Sequence, residues 1–197
     1  MNNQLTKWVQ IILLFLLPIF LIYFKILSFS IRLLVMAIVI IVIITILVRE
    51  KTTSKQIGFR TDNILKALPF YSAVTILSIL SITILAKLFG MQFITNWRGY
   101  YHFYGVFLLL AFAEVFLYLG FLLPRLKTLL KNPWTAILLT SAIFSIMHIV
   151  YPNNFFLIPA FLFGIIISTT YHFRPNLVLA TLTLTIANFA AVLYGFV

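Results

Sequence analysis

Apolar runs long enough to cross a bilayer recur along the whole chain, and this repetition leaves few folds open. A helical run of about 20 apolar residues matches the hydrocarbon thickness of a membrane. Such runs fall at about 8–24, 32–48, 67–87, 104–124, 134–151, 155–171 and 176–197. With 63% hydrophobic and 9% charged residues among 197, the chain carries far more apolar surface than a soluble core of this size can bury. In lipid each backbone polar group must be satisfied within its own segment. The expected fold is therefore all-α, a polytopic transmembrane helical bundle of about seven spans forming a single membrane domain over 1–197. The β-branched run from Val35 to Ile41 would suggest a strand in water but reads as helix in lipid. The first span is long and lacks a small-residue cleavage site, so it is expected to be a retained helix.

Charge sets the expected orientation. The net charge of +11 comes from bases gathered at span ends, which argues against a nucleic-acid partner. Lys7, Arg49, Lys51, Lys55, Arg60, Lys66, Arg125, Lys127, Lys131 and Arg174 fall on one side of the seven-span arrangement. Lys25, Arg32, Lys87 and Arg98 fall on the other. Ten against four places the first group in the cytoplasm by the positive-inside rule, with the amino terminus inside and the carboxyl terminus outside. The expected location is a bacterial cytoplasmic membrane.

Two connections are long enough to have features of their own. Residues 49–66 are expected to form a basic loop against anionic headgroups. Residues 88–103 are expected to lie in the opposite interface, with Phe93, Trp97 and Tyr100 at helical spacing. Trp97, Tyr100, Tyr101 and Tyr104 there form an aromatic cluster suited to interfacial anchoring. The absence of cysteine excludes disulfides, thiolate ligands and a cysteine nucleophile.

Glu114 is the one acidic residue outside the 49–66 loop, and it lies in the middle of the fourth span. A carboxylate at that depth costs at least about 2.5 kcal/mol on insertion scales, so it requires a role. His148 in the fifth span and Asn188 in the seventh fall at comparable depth, and polar groups satisfy one another in lipid more cheaply together than apart. Tyr118, one helical turn beyond Glu114, faces the same side. The candidate catalytic residues are thus Glu114, His148, Asn188 and Tyr118. Two of them also have a plainer reading: Asn188 as helix-packing glue, and His148 as a ring turned to interfacial water. His102 and His172 are expected at the two membrane boundaries.

The stretch from Glu114 to Leu126 resembles the first motif of the CPBP superfamily, the CAAX-protease and bacteriocin-processing enzymes also called Abi proteins. That motif has paired glutamates, three residues and an arginine. Phe144-Ser145-Ile146-Met147-His148 is similar to the second motif, Phe, three residues, His. Asn188 stands where the third motif, His, three residues, Asn or Asp, ends. The resemblance implies a CPBP-like core over about 101–197, in the last four spans, preceded by a variable amino-terminal part over 1–100. Val115, Leu119 and Leu184 occupy the positions of the second glutamate, the arginine and the third-motif histidine.

In the family the glutamates and histidines are thought to activate water, with His and Asn side chains holding the oxyanion. Here Glu114 and His148 offer at most two of the three protein ligands a catalytic zinc takes. Neither a metal nor another cofactor is expected. Three readings stay open. One is acyl transfer to a lipid-modified protein, similar to divergent CPBP-like proteins of Gram-positive bacteria that take part in lipoprotein N-acylation beside a partner enzyme. The second is an intramembrane endopeptidase with a degenerate motif set. The third is a non-catalytic scaffold or immunity protein.

Overall fold

The computed structural model describes residues 3–94, 103–150 and 156–196. Its architecture is all-helical among these residues, built on seven principal helices. They are α1 (Gln4–Tyr23), α2 (Phe29–Arg49), α3 (Ile64–Leu88), α4 (Gly105–Leu130), α5 (Pro133–Val150), α6 (Leu157–Phe173) and α7 (Leu177–Leu193). The first five are long and apolar enough to cross a membrane, while α6 and α7 are apolar with 17 residues each. Each coincides with one expected span. The aromatic cluster of Trp97, Tyr100, Tyr101 and Tyr104, together with His102, lies outside the described residues and side chains.

α4 is the centre of the bundle. In its most apolar stretch 61% of residues are buried, against 11–17% in α1, α2 and α3, whose large aliphatic side chains face outward as lipid requires. α7 packs against both α3 and α4, and α5 packs against α6. Gly164 of α6 makes the last contact possible, because a Cβ there would stand 3.1 Å from Cα of Ser141. Small residues at helix crossings let backbones approach in the absence of a hydrophobic drive between helices.

Two helices widen in their interior. α1 widens to a π-helix at Ile12–Leu16, and α4 does so at Phe116–Leu122. Each widened stretch precedes a proline, Pro18 and Pro124 respectively. Proline removes one i→i−4 hydrogen bond and its ring collides with the carbonyl one turn back, and π geometry absorbs the mismatch. The two widened stretches meet: the Phe15 ring lies 5.5 Å from Tyr118 and 6.2 Å from Phe121.

One end of the bundle is tied together by polar groups. Arg125, at 6% exposure, donates to both carboxylate oxygens of Glu50 at 2.9 and 2.8 Å and lies over the Phe121 ring. Asn176 caps α7 by accepting from Leu179 N–H, and its amide donates to the Arg60 carbonyl and the Asn63 side chain. Tyr171 donates to the Ile57 carbonyl at 2.6 Å, and Leu177 N–H donates to the Gly58 carbonyl at 2.7 Å. Gly58 has φ +76°, and an added Cβ would sit 2.0 Å from the Tyr171 hydroxyl. These contacts tie the 49–66 loop to α4, α6 and α7 while its bases Arg49, Lys51, Lys55 and Lys66 stay exposed, and they make Arg125, one of the ten bases on the first side, a buried ion-pair partner.

Candidate functional site

Glu114 is the last residue but one of the first, regular part of α4, which ends at Val115 just before the π-helical stretch. Across the helix contact, the Asn188 side chain of α7 lies close enough to the Glu114 carboxyl group to interact with it as a donor. Both residues are half-buried. Their approach joins the first and third motif positions, so two of the sequence candidates form one pair.

Glu114 also lines a small cavity of about 20 Å³, about the space of one water molecule. Tyr118 and Phe144 share its wall. The π-helical widening after Glu114 changes the angular step between residues, yet Tyr118 still falls on the Glu114 side. Val115, Leu119 and Leu184 line the same cavity. All three positions at which the chain departs from the motif therefore converge on one place, and the surface the cavity presents there is apolar.

His148 is placed differently. It lies in a 3-10 turn at the end of α5, donates from Nδ1 to the Phe144 carbonyl at 3.1 Å, and packs edge-on against the Phe144 ring at 5.2 Å. The same ring meets Tyr118, also at 5.2 Å. Phe144 thus touches both His148 and Tyr118, and His148 is not among the residues that line the cavity. The structure brings Glu114, Asn188 and Tyr118 together and sets His148 one ring away.

Thr140 was not among the sequence candidates. It is buried, it lines the cavity, and its Oγ1 has no hydrogen-bond partner among the described residues. The usual fate of a hydroxyl in an apolar helix is a bond to the carbonyl four residues back. Thr75, Ser78, Ser141, Thr181 and Thr185 all do this at 2.7–2.8 Å. That default hides Thr140 in the sequence, where it resembles its neighbours. His172, expected at a boundary, has Nδ1 2.7 Å from Lys127 Nζ.

The donor set does not fit a catalytic zinc. Among the described residues no three His, Cys, Asp or Glu side chains come together, and the cavity wall offers one carboxylate. The chemistry available from the residues themselves is proton exchange at Glu114 and hydrogen-bond donation from Asn188, Tyr118 and Thr140.

A family model described as Type II CAAX prenyl endopeptidase Rce1-like matches residues 95–190, close to half of the chain. The match supports a CPBP-family membrane protein. The matched region holds Glu114, Tyr118, Thr140, His148 and Asn188, and its α4–α7 core carries the cavity. The same match supports a membrane protease-like function. No curated protein and no solved structure matched the chain significantly.

Proposed function

We propose that the protein is a membrane-embedded, protease-like hydrolase acting on membrane-anchored or lipid-modified proteins, with Glu114 as its proton-handling group. The approach of Asn188 to Glu114 beside a cavity in the matched region carries this reading. Glu114 accepts a proton from water as the water oxygen bonds to the peptide carbonyl carbon. It returns that proton to the nitrogen as the C–N bond breaks. Asn188 fixes the carboxyl group with one amide hydrogen and keeps a second for the developing oxyanion, with Tyr118 as a further donor. His148, against the Phe144 ring, is outside this proton path.

A second reading is acyl transfer to the amino terminus of a lipid-modified protein, in concert with a partner enzyme. The aliphatic wall of Val115, Leu119 and Leu184 favours it, since an apolar lining beside Glu114 suits contact with an acyl chain better than with a hydrated peptide. With the amino terminus inside and the carboxyl terminus outside, the site falls towards the outer leaflet, where mature lipoproteins present their amino termini.

One experiment separates these readings. Membrane-protein amino termini and lipoprotein masses are compared in cells carrying wild type or Glu114→Gln at equal membrane levels. A hydrolase yields cleaved termini that vanish in the variant, and a transferase yields an acyl-chain mass that vanishes. If both profiles match wild type, Glu114 is a packing residue and both readings fail.

A further inference from the structure

The three acidic side chains of the chain are all engaged away from Lys127 and His172. Glu50 pairs with Arg125, Asp62 pairs with Arg60, and Glu114 is approached by Asn188. The remaining bases therefore have no carboxylate side chain left to them, and two of them meet. Lys127 Nζ of α4 and His172 Nδ1 of α6 lie 2.7 Å apart, and both residues are half-buried. Lys7 Nζ donates to Thr128, the next residue along α4, at 3.2 Å. Lys131, one turn after Lys127, is exposed.

Beside this group stands an aromatic frame. Trp134 and Phe173 are 54% and 60% exposed, their rings are 6.2 Å apart, and the His172 ring lies 4.8 Å from Phe173. Exposed Trp at a helix end is favoured at headgroup depth, where one part of the ring is wet and the other apolar. Basic pockets between transmembrane helices at that depth suit phosphate-bearing headgroups.

We propose that Lys127 and His172 form a binding site for the phosphate of an anionic phospholipid headgroup, flanked by Lys7 and Lys131 and framed by Trp134 and Phe173. Neutral His172 accepts one ammonium proton from Lys127, which leaves two Lys127 donors and the second ring nitrogen for phosphate oxygens. The lipid supplies the counter-ion that the sequence does not. It also bridges α4 to α6 at the end of the bundle where Arg125 and Tyr171 hold the 49–66 loop. This site is independent of the proposed catalytic reading, because it uses none of the cavity residues.

The test is native mass spectrometry of the full-length protein in neutral detergent with phosphatidylglycerol, phosphatidylcholine or soluble glycerol phosphate. Phosphatidylglycerol stays bound to wild type, and its retention weakens about tenfold or more in Lys127→Gln/His172→Gln. Lys51→Gln/Lys55→Gln, which removes charge from the exposed loop, leaves retention near the wild-type value. Should the double variant not fold, His172→Asn alone gives the same direction. Equal retention by the site variant, equal loss in the loop variant, or glycerol phosphate binding as tightly as the lipid would each overturn the proposal.

Discussion

The two ends of the buried part of α4 treat polarity differently. At Arg125 the charge is matched by Glu50, and the surrounding loop is fastened by Tyr171, Asn63 and Asn176 through bonds that cross from helix to helix. Arg125 Nη2 makes both bonds to Glu50, and the buried Nε has no partner among the described residues. At Glu114 the carboxyl group has Asn188, an aliphatic wall on one side, and the unpartnered Thr140 hydroxyl nearby. Charge-paired groups serve the fold, since removing one leaves the other stranded in a medium that cannot solvate it. Under-matched groups in the same helix cost stability without returning it, which is the usual mark of a working site.

The contrast is open to direct attack. The largest expected effect is on Glu114→Gln, which keeps the shape and removes the titrating group: turnover of the identified substrate falls at least about 100-fold. Its thermal midpoint in detergent stays at the wild-type value; a matching loss of stability would make Glu114 structural. Gly58→Ala should do the reverse, lowering unfolding free energy by about 2 kcal/mol or more through the Tyr171 clash and the left-handed backbone, with catalytic constants unchanged in the protein that remains folded.

Glu50→Gln leaves Arg125 with a neutral partner. Because Glu50 is itself 45% exposed at the side chain, water recovers part of the loss, and denaturant unfolding should show a deficit of about 1–2 kcal/mol. Thr140→Val exchanges a stranded hydroxyl for a methyl group of like size. Stability should hold or rise by up to about 1 kcal/mol, while activity falls about tenfold if the hydroxyl serves the cavity; unchanged activity would remove Thr140 from the site. The smallest effect concerns pH. Hydrogen bonding from Arg60 lowers the Asp62 pKa to about 2, below the ordinary value of 3.8. This pair therefore favours the folded loop above about pH 4 and is lost only as pH falls towards 2. Limited proteolysis of the 49–66 loop should be flat from neutral pH down to about 4, and earlier loosening would show that other groups hold it.

Much of the fold was legible because apolar runs of membrane length have few alternatives. The α4–α7 pairing of Glu114 with Asn188 was legible as motif positions at similar depth. What escaped has physical causes. The Arg125–Glu50 pair joins residues 75 positions apart, and a base near a span end looks like a topological charge whether or not it is buried. The π-helical stretches leave no mark in runs of Leu and Phe, although Pro18 and Pro124 point to them in retrospect. His148 matched a motif by spacing, which does not show that it sits in a 3-10 turn at the end of α5 against the Phe144 ring.

The account turns on Glu114 and Asn188 acting as one unit across the α4–α7 contact. A double-mutant cycle of Glu114→Gln and Asn188→Ala, read in substrate turnover at equal membrane levels, measures that coupling directly. The expected result is a double variant no worse than Glu114→Gln alone. Losses that simply add would mean that the two side chains act separately, and the pair would not be the functional centre.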